Sequence, residues 1–228
     1  MEYKGITRDA LFLMADNRFR DSKEYYEEHK EQIKAAMTVP MRQLAEIIGT
    51  ELLTVDPIMN TVPSKMVSRV RRDTRFTHDK TLYRENMWIM FMRPKYEWRC
   101  YPCMWFEVTP REYSLGVGFF GNEAGLMELF RKALRENPSD FLKAAEECKK
   151  AGANLSADKY KRGYSDCPEG LEEYYNCKEL YFILSSENLD ELADETIIKI
   201  MRKTYKAFTP MYKFLLGVSD KYFIEDIR

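Results

Sequence analysis

The chain has 228 residues, 45% of them hydrophobic and 32% charged, and its 36 Lys and Arg face 37 Asp and Glu for a formal net charge of −1. This is the composition of an ordinary globular protein, and near-neutrality excludes wholesale attraction to nucleic acid or to an anionic membrane, so any basic surface must be local. No stretch is apolar for long enough to span a bilayer, the opening M-E-Y-K-G-I-T-R-D-A lacks the apolar run of a signal peptide, and the cytoplasm is the expected compartment.

Thr7 predicts an N-cap for a helix through Met14, with Ala10, Leu11 and Met14 on one side and a break at Asp16-Asn17. Asp21-Ser22-Lys23-Glu24 resembles a capping box for a second helix reaching about Met37, with Tyr25 and His29 one turn apart. His29 reads as a packed or capping residue rather than a catalyst. Pro40 suits the first turn of a third helix, whose stripe is Met41, Leu44, Ala45, Ile48 and Leu52. Turn residues from Pro57 to Ser64 close this helical third, residues 1–60.

From residue 65 to 120 the period changes to two. Lys65 to Arg72 alternates as a strand, with Met66, Ser68, Val70 and Arg72 on one face and Val67, Arg69 and Arg71 on the other. Glu85 to Arg93 is apolar on both faces, as in the middle of a sheet. Pro94-Lys95 turns the chain; Cys103 to Thr109 and Glu112 to Phe120 continue as strands joined by a turn at Thr109-Pro110-Arg111. Gly116 and Gly118 share a face where a backbone or ligand can come close, but no third glycine or helix start makes them a dinucleotide fingerprint. Short connections predict an antiparallel meander rather than βα units.

Helices return in residues 121–228. Gly121-Asn122 caps one over Glu123 to Glu136, a second runs from Ser139 to Ala151, and Gly152 ends it. Lys159 to Tyr164, K-Y-K-R-G-Y, is expected as a basic edge strand and Glu179 to Ser185 as another strand. A long helix follows from Leu189 to Lys213, with a kink at Pro210. The sum is one α+β domain, a mainly antiparallel sheet with N-terminal and C-terminal helices packed over it. The five cysteines suit free thiols in a reducing compartment, and Cys100-Tyr101-Pro102-Cys103 reads as structural because apolar sequence, not a helix start, surrounds it.

The functional weight falls on Arg69 to Arg84, R-V-R-R-D-T-R-F-T-H-D-K-T-L-Y-R, with six basic side chains (Arg69, Arg71, Arg72, Arg75, Lys80, Arg84) and two acids, Asp73 and Asp79. Residues two apart on a strand face lie roughly 7 Å apart. Two like charges at that distance repel by about 0.6 kcal/mol in water and about 2.4 kcal/mol at an effective dielectric of ~20. That repulsion needs built-in carboxylates or a bound anion.

The same stretch resembles the central motif of a bacterial family catalogued as domain of unknown function 2461, R-I-x-R-D-x-R-F-S-x-D-K-x-P-Y-K. Arg69, Arg72, Asp73, Arg75, Phe76, Asp79, Lys80 and Tyr83 match it; Thr77 stands for its Ser, Arg84 for its Lys, and Leu82 departs from its Pro. Tyr26-x-x-His29-Lys30 resembles a second segment, W-F-x-x-H-K. The resemblance covers nearly the whole chain and implies one α+β unit, but carries no activity.

Three readings of the stretch follow. In the first, Arg69, Arg72, Arg75, Lys80 and Arg84 hold a phosphorylated small molecule, and Asp73, His78, Asp79 and Tyr83 are the candidate acids, bases or orienting groups of an enzyme. Asp73 or Asp79 could then carry Mg²⁺ with the ligand's phosphates. In the second, the patch is a non-catalytic module for nucleic acid or an acidic protein, extended by K-Y-K-R-G-Y. In the third, Arg–Asp pairs are a structural latch. Neither the reaction nor an oligomeric state follows from the sequence.

Overall fold

The computed structural model describes residues 2–94, 100–119 and 124–226. The expected turn residue Lys95 and the Gly121-Asn122 cap lie outside them, as do Phe120 and Glu123 at the ends of expected elements.

The chain forms two compact units. The first gathers Met1–Phe91, Trp105–Ser114 and Ser185–Arg202; the second gathers Met92–Met104, Leu115–Leu184 and Lys203–Arg228.

In the first unit, α1 spans Arg8–Arg20, and the Thr7 hydroxyl accepts the Ala10 N–H as its cap. The expected break at Asp16-Asn17 does not occur, because Asn17 is buried on the same face as Ala10, Leu11 and Met14 and packing overrides its turn preference. The helix ends at Asp21, left-handed at φ 45°, a conformation that Asp tolerates better than most residues. Ser22 caps α2, Lys23–Ile33. A π-helical turn, Lys34–Thr38, leads into α3, Val39–Leu52, with Pro40 in its first turn and the expected stripe of Met41, Leu44, Ala45, Ile48 and Leu52 buried. A short helix, α4, covers Pro63–Met66.

Five strands follow: β1 Met87–Phe91, β2 Pro102–Val108, β3 Tyr113–Phe119, β4 Asn154–Ser156 and β5 Tyr181–Ser186. They form one antiparallel sheet in the order β1-β2-β3-β5-β4, with Asn154, Leu155 and Ser156 opposite Ile183, Phe182 and Tyr181. The β2–β3 turn is the expected one, closed by Thr109 N–H to Glu112 C=O at 2.9 Å. Gly118 marks the close backbone approach: a Cβ there would sit 2.0 Å from the Leu180 carbonyl oxygen. The fold is therefore α+β, with helices at both ends of the chain.

The second unit contains α5 Ala124–Glu136, α6 Pro138–Lys150 and a short α7, Glu172–Tyr175. Its core includes edge-to-face rings: Phe130 and Phe141 lie 5.6 Å apart and Phe141 and Phe214 5.3 Å, the geometry aromatic quadrupoles prefer. Gly152, at φ 93°, ends α6 as expected. The last helix, α8, spans Thr196–Asp226 and passes through Pro210; Leu189–Leu192 is a separate 3-10 turn. The expected helix start at Leu189 fails because Asp194 caps a new helix instead, its carboxylate accepting the Thr196 N–H at 2.7 Å.

Candidate functional site

The basic stretch lies wholly in the first unit. Lys65 and Met66 are not strand, as alternation predicts: Pro63 opens a helical turn that the Val67 N–H closes onto the Pro63 carbonyl at 3.0 Å. Beyond it, residues 67–72 run antiparallel to residues 82–89, with isolated bridges Val67↔Ile89 and Arg71↔Tyr83. Between those bridges one arm advances four residues (71 to 67) and the other six (83 to 89). The surplus lies within residues 85–87, which together oppose Arg69, so a regular strand pair cannot form there. Arg72 N–H to Leu82 C=O at 2.8 Å and Arg84 N–H to Val70 C=O at 3.0 Å close the outer end. Arg72 and Arg84 are therefore diagonal neighbours across the pair, about 7–8 Å apart at their bases.

Asp21 anchors this arm to the end of α1. One of its carboxylate oxygens accepts the Leu82 N–H at 2.7 Å and the Tyr83 N–H at 3.2 Å. Tyr83 is 2% exposed and its ring stacks on Tyr26 at 4.7 Å, while burial raises its pKa.

The two acids are taken by their own loop. The Asp79 carboxylate accepts the Thr81 N–H at 3.0 Å, the Thr81 hydroxyl at 2.8 Å and a short bond from Arg72. Arg72 also donates to the Thr81 hydroxyl at 2.7 Å, and Arg18 stands 3.9 Å from Asp79. Thr81, and then Arg72, hold the Asp79 carboxyl far below the usual carboxylate range. Asp73 is held low chiefly by Arg75, which grips it with a fork at 2.9 and 2.7 Å. That pair is exposed and screened. Lys80 donates to the Thr74 carbonyl at 2.8 Å. His78 and Phe76 stand exposed in the loop, with the Arg75 guanidinium 5.5 Å over the Phe76 ring.

Three arginines remain. Among the described residues, Arg69, Arg71 and Arg84 form no ion pair with a carboxylate. Arg69 and Arg71 are exposed; Arg84 is half-buried, its guanidinium 4.5 Å over the Trp88 ring. Burial, followed by the charges of Arg72 and Arg69, lowers the Arg84 pKa, while Glu107 pulls the other way. Glu107, on β2, accepts a 2.6 Å bond from the Asn86 side chain.

The structure thus splits the predicted residues. Arg72 and Arg84 are diagonal neighbours and the charge of Arg69 also acts on Arg84; Arg75 and Lys80 bond within the loop, Asp73, His78 and Asp79 lie on the loop, and Tyr83 is buried. Sequence reading missed Asp21, Asn86, Trp88 and Glu107. Only the alternation Arg84-Glu85-Asn86-Met87-Trp88 carried a signal for two of them. Among the described residues, no group of three or more His, Cys, Asp or Glu side chains is arranged to hold a metal ion.

Other expected features resolve locally. His29 packs on the Tyr25 ring at 4.0 Å, with Nδ1 2.9 Å from the Tyr25 carbonyl. Cys100 and Cys103 are not joined in a disulfide, and burial drives the Cys103 pKa well up. K-Y-K-R-G-Y, in the second unit, is not an edge strand: only Lys159 bridges, to Cys177. Instead Tyr160 and Tyr164 lie over the guanidinium of buried Arg131, at 5.5 and 4.1 Å. Arg131 in turn donates to the Tyr175 and Cys177 carbonyls, both at 3.0 Å.

The fold is that of an α+β protein, and no helix among the described residues is long and apolar enough to cross a membrane. The chain matches the family described as "Conserved hypothetical protein (DUF2461)" over residues 10–214, and it belongs to that family. No curated protein matches it.

Proposed function

We propose that the arm formed by residues 69–84 binds a small anionic ligand of the phosphate type, with Arg69 and Arg84 as its free donors and Arg72 as the shared wall. The carrying observation is the half-buried Arg84 beside two further arginines, with no carboxylate bonded to it among the described residues. Like charges held together in partial burial cost folding free energy unless an anion neutralises them. Planar guanidinium forks suit the bidentate recognition of phosphate. An enzymatic step on that ligand is a further proposal, for which Asp73, His78 and Asp79 are the loop's titratable groups.

The Arg72–Asp79–Thr81 network supports a second, complementary role as a latch, since these bonds fix residues 72 to 81 whether or not a ligand is present. The test is a melting screen with phosphate, sulfate, nucleotides, sugar phosphates and short oligonucleotides, with and without Mg²⁺. A ligand at 100 times its Kd adds about 2.7 kcal/mol, or roughly 5–10 °C for a chain of this size. The expected result is such a shift that disappears in Arg84→Ala while that variant still melts cooperatively. Shifts with oligonucleotides alone, falling steeply with salt, would instead favour the nucleic-acid reading.

A further inference from the structure

The groups around Arg84 want more than an anion. Arg69 and Arg84 offer donors that no described side chain accepts. Beside them Glu107 has one carboxylate oxygen bonded by Asn86 at 2.6 Å, and its second oxygen makes no hydrogen bond to a described residue. The Asn86 side-chain carbonyl is likewise without a donor among the described residues. An ionised carboxylate only accepts hydrogen bonds, and the amide oxygen does the same. Glu107 lies near enough to Arg84 for its charge to act on it, yet it forms no ion pair with it. The site therefore has a donor end at the arginines and an acceptor end at Glu107 and Asn86.

A bare phosphate satisfies only the donor end and meets the negative charge of Glu107. An aromatic ring finds the Trp88 face nearest the donors already covered by Arg84 at 4.5 Å. Hydroxyl groups satisfy the acceptor end without adding charge.

We propose, resting on the anion reading above, that the ligand is a phosphate monoester of a polyhydroxy compound, of the sugar-phosphate class. Its phosphate lies against Arg69, Arg72 and Arg84, and its hydroxyls donate to Glu107 and to the Asn86 carbonyl. Glu107 is then a specificity-determining residue. A hydrogen bond to a charged group contributes about 1.5–3 kcal/mol, which is about 10- to 100-fold in affinity.

The experiment is calorimetry on the full chain with four probes: inorganic phosphate, propyl phosphate, glucose 6-phosphate and glucose. The expected result is glucose 6-phosphate binding at least about tenfold tighter than propyl phosphate, with glucose alone far weaker. Glu107→Gln keeps an acceptor for Asn86 but removes the charge and the free acceptor oxygen. It is expected to bring glucose 6-phosphate to the level of propyl phosphate while leaving propyl phosphate binding equal or tighter. Equal affinity for glucose 6-phosphate and propyl phosphate in the wild-type chain overturns this inference and leaves the anion site standing. Absence of binding by all three phosphates overturns both. The wild-type comparison does not depend on how the variant folds.

Discussion

Asp21 is the point where the first helix grips the basic arm, and its replacement makes a graded prediction. Its carboxylate takes two backbone N–H groups, from Leu82 and Tyr83, at 2.7 and 3.2 Å. Hydrogen bonds to a charged acceptor contribute about 1.5–3 kcal/mol each, and in this half-buried setting the lower end applies, so the two together are about 3 kcal/mol. The residue also sits at φ 45°, where a Cβ costs about 1 kcal/mol and Asp is better tolerated than Ala. Asp21→Ala should then cost about 4 kcal/mol, Asp21→Gly about 3 because it sheds the backbone strain, and Asp21→Asn about 1–2 because an oxygen acceptor survives. At 2–4 °C per kcal/mol these are drops in Tm of roughly 8–16, 6–12 and 2–8 °C. Thermal melts followed by circular dichroism in one buffer give the order directly. An Asp21→Ala protein within about 2 °C of wild type, or one that outlasts Asp21→Gly, would refute both the anchor and the strain argument.

Other expectations follow from the same contacts. Gly118→Ala pushes a Cβ to 2.0 Å from the Leu180 carbonyl oxygen, and overpacking costs about 1–3 kcal/mol or more; soluble expression and a Tm near wild type would contradict the close approach. The Asp79 carboxyl is held below its ordinary 3.8 in the fold, so its stabilisation is fully present above that value and is lost as pH falls through the depressed folded-state pKa. The Tm gap between wild type and Asp79→Asn should therefore stay constant from pH 7 to about 5 and shrink below about pH 4; a gap that widens on acidification has the wrong sign. Cys148 is pushed up to about 12 and Cys177 to about 11, both by burial, so neither should react with a thiol probe at pH 7 before the chain unfolds; rapid labelling of either, read by mass spectrometry, counts against the packing.

Much of the fold was written in short-range signals. The caps at Thr7 and Ser22, Pro40 at a helix start, the Thr109 turn and the stripe from Met41 to Leu52 are local chemistry, readable without the rest of the chain. The failures have tertiary causes. Asn17 reads as a breaker but is buried with its helix. Lys65-Met66 alternates correctly yet is helical, since Pro63 sets a turn that periodicity ignores. The strand β4, with an exposed-intermediate-exposed pattern, had no apolar alternation to announce it.

The candidate site was legible in part. A run of arginines shows in any reading of the sequence, but which of them remain unpaired depends on where Asp73 and Asp79 turn. Arg75, one of the candidate ligand-holding residues, grips Asp73, its neighbour two residues away. Glu107 comes from a different strand, and no spacing rule links it to Asn86.

The central claim is that Arg84 and Arg69, with Arg72 as the wall beside them, face a bound anion, while an arginine already held by a carboxylate elsewhere does not. The most direct measurement is a phosphate titration of the ¹⁵N-labelled protein, following the arginine Nε–Hε resonances at constant ionic strength. The account predicts saturable shifts at Arg84 and Arg69, with none at Arg202, whose guanidinium is already held by Glu51 at 2.6 Å. Uniform small drifts across all arginines, Arg202 included, would mean that phosphate is screening charge and that the arm is a latch alone.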